Sequence, residues 1–168
     1  MSKIAPIENR PGSDWTCREV LDAQAIEPTG KFRCGFCTTA IRWIHVLEHD
    51  DYEREVQAGC CCAARLCYEY DAEAAEREVK NRMDRRARFM DVKRWKRSRP
   101  NPENVWRFVQ TPNDGRVRVT VFLKAEAYAI CIAGKTDGDR YFCPEKYASP
   151  AEAMSVAFEL VECLKGDK

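Results

Sequence analysis

The chain has 168 residues, 45% hydrophobic and 33% charged, with a net charge of +1 and ten cysteines. That length fits one ordinary domain or two small ones, each near the size at which a hydrophobic core alone suffices. The longest apolar run, Ala127 to Ala133, is far too short to span a bilayer, and MSKIAPIENRPGSDW holds no apolar signal region or cleavage site, so a soluble cytoplasmic protein is expected.

Residues 1–13, with Pro6, Pro11 and Gly12, read as a loose tail, and Asp14 is expected to cap a short helix through Ala25 before the turn Pro28-Thr29-Gly30. From Lys31 the pattern changes to a CGFC turn and then TAIRWIHVLEH, whose alternation predicts a strand. Asp50-Asp51 turns the chain, YEREVQAG returns as a second strand, and CAARLCYEY begins a helix. Asp71 is placed to cap a long helix, with pairs Glu76/Lys80, Glu78/Arg82 and Asp84/Arg88 and a thin apolar stripe of Val79, Met83, Ala87 and Met90 ending at Trp95. Pro100 and Pro102 are expected to end that helix and to mark a domain boundary.

Beyond them the composition becomes β. VWRFVQ, the turn TPNDG and RVRVTVFL predict a hairpin, and AYAICIA, the turn GKTDGD and RYFC predict two shorter strands. SPAE at 149–152 is a capping box opening a helix with Met154, Ala157, Phe158, Val161 and Leu164 on one face. The expected organisation is therefore a tail and short helix (1–30), a zinc module (31–70), a basic helix (71–99) and an antiparallel sheet with one covering helix (103–168). The fold class is α+β.

The cysteines carry the clearest chemistry. In a reducing compartment, clustered cysteines are metal ligands more often than disulfides. A CxxC turn, a hairpin and a cysteine pair at a helix start follow the order of a treble-clef zinc finger, and the 22 residues between Cys37 and Cys60 leave room for the hairpin. Thiolates bind Zn²⁺ tetrahedrally, and such a site supplies roughly 10–16 kcal/mol of apparent binding free energy, which decides folding for a small module. Cys34, Cys37, Cys60 and Cys62 are the expected ligands, the last two because residues two apart can converge where neighbours cannot. Cys67 lies about 140° around a helix from Cys62 and reads as a small core residue. Cys61 is either a spare thiol or a substitute ligand, and His45 is an alternative fourth ligand to Cys60. As strand and loop residues, His45 and His49 do not form a helical metal pair.

The segment FRCGFCTTAIRWIHVLEH…VQAGCCCAARL, with the Arg-rich helix and Trp95 that follow, resembles a recurring module of uncharacterised bacterial, phage and plasmid proteins over roughly residues 30–100. The resemblance implies a zinc-binding module with Cys34, Cys37, Cys60 and Cys62 as ligands, and it implies no activity. Ala58 stands where the similar sequences prefer a β-branched residue.

Residues 77–99 hold 11 basic and 3 acidic side chains, a local charge of +8. Arg82, Arg85, Arg86, Arg88, Lys93, Arg94, Lys96 and Arg97 suit phosphate oxygens; a docking surface for an acidic protein and plain solvent exposure are the competing readings. Trp95 either stacks on a base or docks the helix end, and docking is expected. In the C-terminal sheet, Arg116, Arg118 and Thr120 are expected to line an open face, beside Arg107, while Val105, Val109 and Phe122 on that face would instead suit a protein contact. The sequence has no Gly-rich phosphate loop, no Ser elbow and no carboxylate cluster with metal spacing, and Cys61 and Cys143 lack a convincing neighbouring base. The expected role is non-enzymatic, zinc-containing binding of DNA or RNA, with a protein-binding adaptor or inhibitor of phage or mobile-element type as the alternative and a zinc-dependent nuclease third.

Overall fold

The computed structural model of the chain describes residues 11–112, 115–134 and 138–166. It is α+β, and among the described residues it has four α-helices and two antiparallel sheets of three and five strands. Two units are delimited, Met1–Met83 and Asp84–Lys168. Among the described residues no helix is long and apolar enough to cross a membrane.

The first unit is a meander of β1 (Thr16–Asp22), β2 (Trp43–His49) and β3 (Tyr52–Ala58), followed by the short helix α2 (Cys60–Leu66). Between β1 and β2 lie the one-turn helix α1 (Ala23–Ile26) and the CGFC turn. The short helix expected from Asp14 is replaced by β1. Its residues pair with β2 from Thr16↔Glu48 to Asp22↔Trp43, and that ladder overrides a helical local pattern. Asp14 has φ 66 and caps nothing; Asp22 is the cap, accepting from the Gln24 N–H at 3.0 Å. β2 is enclosed on both faces, with Ile44, His45, Val46 and Leu47 all buried.

α3 (Ala72–Met90) starts where Asp71 predicted, its carboxylate accepting from the Ala74 N–H at 2.9 Å. It ends ten residues before Pro100, not at the prolines. Asp91 caps a 3₁₀ turn over Val92–Arg94, and Lys96–Arg97 become an edge strand, β4, so the basic segment is helix, turn and strand in succession. Met83 is 41% exposed, and Phe89 is the residue of the last turn that is buried. Trp95 docks as expected, donating its indole N–H to the Phe89 carbonyl at 2.8 Å.

In the second unit β4, β5 (Val105–Thr111), β6 (Gly115–Lys124), β7 (Ala127–Ala133) and β8 (Arg140–Phe142) form a five-stranded meander. The helix α4 (Pro150–Gly166) opens on the predicted capping box: Ser149 Oγ accepts from the Glu152 N–H and the Glu152 carboxylate accepts from the Ala148 N–H. Its Met154, Ala157, Phe158 and Val161 pack with Val117, Val119 and Val121 of β6 and Ile130 and Ile132 of β7 in one core. The turns expected at TPNDG and GKTDGD fall partly on 113–114 and 135–137, outside the described residues.

Candidate metal centre and basic sheet face

The CGFC stretch folds as a knuckle because its backbone closes on itself. The Cys34 N–H donates to the Thr39 carbonyl at 2.8 Å, the Thr38 N–H returns to the Cys34 carbonyl at 2.9 Å, and the Gly35 N–H reaches Gln57 of β3 at 2.7 Å. Phe36 packs edge-on against the buried Trp15, 5.4 Å between centroids, which pins the knuckle to the core. At the other side, Gly59 is the N-cap of α2, and a Cβ there would meet Ile41 Cγ2 at 2.8 Å. A glycine therefore lets α2 begin close against Ile41, which follows the knuckle.

This arrangement brings the sulfurs of Cys34, Cys37 and Cys62 within 4.8 Å of one another, close enough to hold one metal ion. Cys34 and Cys62 are buried and Cys37 reaches solvent. Hydrogen bonding with Thr39, side chain and then backbone, and to a smaller extent with Cys34 and Cys62, brings the Cys37 thiol down to about 7. Burial, then the hydrogen bonds with Cys37 and Cys34, push Cys62 up to about 12. One thiol of the group is thus poised to ionise at neutral pH, while another is held protonated unless a cation offsets its burial.

Cys60 is in a different group. It is the first residue of α2, so Cys60 and Cys62 lie about 200° apart around the helix and face opposite sides; the expected convergence belongs to an extended chain. The Cys60 sulfur lies instead with a ring nitrogen of His45 and a carboxylate oxygen of Glu76, again within 4.8 Å of one another. His45 is fully buried on β2. Its Nε2 is 3.0 Å from Glu76 Oε1 and its Nδ1 is 2.9 Å from the Tyr70 hydroxyl. Burial raises the Cys60 thiol, with Glu76 adding to it, and burial with the Cys17 hydrogen bond raises Tyr70. Cys61 is exposed, and Cys67 is buried in the core as expected, pushed up to about 11 by burial and then by Cys17. His49 stays structural, packing on Trp15 and accepting from the Asp51 N–H.

The sequence pattern pairs Glu76 only with Lys80 along the helix, whereas its carboxylate meets His45, and it does not single out Tyr70. The available signal for Glu76 is its position four residues after the buried Ala72, on the same helical face.

The basic residues divide sharply. Arg85 donates to Glu162 of α4 from Nε at 3.1 Å and from Nη2 at 2.8 Å. Burial acts to raise the Glu162 carboxyl, but the hydrogen bonds from Arg85 and Lys165 outweigh it and hold the group below its ordinary value. Arg86 reaches Ser155 and, at 3.9 Å, Glu159. Arg88 donates to the Asp84 carbonyl and Arg94 lies 3.6 Å from Asp91. Arg82 and Lys93 are exposed. Arg107 is on the core side, where it donates to the Arg88 and Phe89 carbonyls at the end of α3 and stacks over Phe89 at 4.8 Å. Val105 and Val109 also pack against the core, so the protein-contact patch expected from them is absent.

The open face of the sheet follows from register. The pairs Lys96↔Trp106, Trp106↔Thr120, Phe108↔Arg118 and Gln110↔Arg116 put these side chains on the side away from Val117, Val119 and Val121. Arg118↔Ala133, Phe122↔Ala129, Cys131↔Phe142 and Ala133↔Arg140 extend the same face to β8. No Asp or Glu occupies a position of this face within the strands. Arg118 and Lys96 lie over the Trp106 ring at 5.0 and 5.2 Å, and Arg116 lies over Phe108 at 3.9 Å. Phe108 is 41% and Phe142 57% exposed. Arg97, opposite Val105, projects to the other side. Arg116 and Arg118 thus stand where the alternation predicted. Trp106 and Phe108 were missed because which side of β5 faces outward is settled by its pairing with β6.

Comparison of the chain with protein-family models, with curated proteins and with solved structures returns no match.

Proposed function

We propose that the protein binds single-stranded nucleic acid on the open face of the five-stranded sheet, without catalysing a reaction, and that zinc at Cys34, Cys37 and Cys62 holds the N-terminal unit in a treble-clef-like arrangement. The observation that carries the binding reading is the interleaving of aromatic rings and cations at outward strand positions none of which is Asp or Glu: Trp106, Phe108, Phe122 and Phe142 among Lys96, Arg116, Arg118 and Arg140. Trp106 meets Phe108 and Phe122 meets Phe142 edge to face, so one exposed ring of each pair can stack on an unpaired base, whereas in a duplex those base faces are already stacked. Arginines meet the phosphates and extend the stacking surface, since a guanidinium plane stacks as well as pairs. The basic helix contributes less than its charge suggests, because Arg85 and Arg86 are tied to α4.

The metal reading rests on the three converging sulfurs and on the order knuckle, hairpin, helix, in which an ion ties the knuckle to the start of α2 with its fourth position filled by a ligand other than these sulfurs. The binding reading is tested by anisotropy of labelled DNA and RNA single strands. Trp106→Ala is expected to cost roughly 1–3 kcal/mol, a loss of about 5- to 150-fold in affinity. Arg116→Ala is expected to reduce the magnitude of the salt slope of log K by roughly 0.7. No detectable binding to any strand at low salt overturns the proposal and leaves the protein-adaptor alternative.

A further inference from the structure

We infer that His45, Cys60 and Glu76 form a second metal site, separate from the three-cysteine group, that takes a borderline divalent cation such as Zn²⁺ and leaves one coordination position for an exogenous ligand. The inference does not depend on nucleic-acid binding.

Three elements deliver the donors: β2 gives an imidazole nitrogen, the first turn of α2 a sulfur and the second turn of α3 a carboxylate oxygen, all within 4.8 Å of one another. A tetrahedral ion with ligand bonds of about 2.0–2.3 Å needs its donors roughly 3.3–3.8 Å apart, which this group reaches with small side-chain adjustments. Nitrogen, sulfur and oxygen together favour zinc over calcium or magnesium, whose ligands are oxygens.

The surroundings of His45 match a ligand's. The ring is fully buried, and the Tyr70 hydroxyl 2.9 Å from Nδ1 fixes its orientation, leaving Nε2 directed at the group. A partner on the far ring nitrogen is the usual support of a metal-bound histidine. A plain His45–Glu76 hydrogen bond explains those two residues but not the third. Among the described residues the Cys60 thiol makes no hydrogen bond, yet it sits beside a buried imidazole and a carboxylate.

Cys60 and Glu76 are partly exposed, so solvent reaches the site beside them. Three protein donors leave the fourth position of a tetrahedral ion to an exogenous ligand. The GCCC stretch then serves two ions. Its first cysteine turns to one group and its third to the other, on opposite sides of a single helical turn.

The test is metal content of the full chain after equilibrium dialysis against Zn²⁺, with circular dichroism to confirm folding. Wild type is expected to hold two equivalents, Glu76→Gln and Cys60→Ala one each, and Cys37→Ser is expected to lose the other equivalent. Cobalt substitution adds a second readout, because a one-thiolate site gives weaker sulfur-to-cobalt absorption than a three-thiolate site. Glu76 is half-buried and its glutamine isosteric, so that variant reports on the site even where His45→Ala fails to fold. One equivalent or fewer in wild type, or two equivalents kept by both Glu76→Gln and Cys60→Ala, overturns the inference.

Discussion

The two units are held together by different chemistry. In the N-terminal unit the main core cluster has ten buried residues, of which three are cysteines and three alanines: Cys34, Cys62, Cys67, Ala58, Ala63 and Ala72. The C-terminal core has thirteen, none a cysteine, and includes the large rings of Phe89, Trp95, Tyr147 and Phe158. Small side chains bury little apolar surface, so the first unit gains less from its core and has the buried His45 hydrogen bonds beside it, whereas the second gains most from buried hydrocarbon. The difference also separates roles, since the clustered thiols stand in one unit and the arginines stacked on the open sheet face in the other.

The largest expected effect breaks the first unit alone. Removing metal with a chelator, or Cys62→Ser, is expected to forfeit much of a binding term of roughly 10–16 kcal/mol. Amide exchange should then show β2 and β3 losing protection while β6 and β7 keep theirs; equal protection in both states would count against a metal-held unit. The matching lesion in the second unit is Phe158→Ala. It removes a ring 1% exposed, with an expected cost of about 3–5 kcal/mol in urea unfolding and no change in metal content.

Next in size is the Arg85–Glu162 pair. The folded carboxyl lies below its unfolded value, so its stabilisation is fully present above roughly pH 4.3, the ordinary glutamate value, and is lost as pH falls through the folded value. Glu162→Gln is expected to cost about 1–3 kcal/mol at neutral pH and to flatten the acid side of the stability profile. An acid profile identical to wild type would remove this pair from the account. The smallest effect belongs to Arg94→Ala: its partner Asp91 is 41% exposed, and a loss of about 0.2–1 kcal/mol is expected in the same urea titration.

Legibility in the sequence follows the range of the interaction. The 43–58 hairpin, the Asp71 cap and the Ser149 box are local, and each stands where its pattern placed it. β1 was hidden because TCREVLD becomes a strand only through its pairing with β2. The partners of Arg85 and Arg86 were hidden because Glu162 and Glu159 lie more than 70 residues downstream. Three of the four expected metal ligands converge. Cys60 departs because α2 begins at that residue, so the helical turn, not the alternation of a strand, sets its direction.

The most direct test of the binding claim is competition between a labelled single strand and an unlabelled duplex of the same sequence, with the metal-replete protein and with the Trp106→Ala/Arg118→Ala variant. The account predicts saturable binding that the single strand competes at least tenfold better than the duplex, and that the double variant largely loses. Equal competition by duplex and single strand, or unchanged affinity in the variant, would contradict the assignment of the sheet face as a stacking surface.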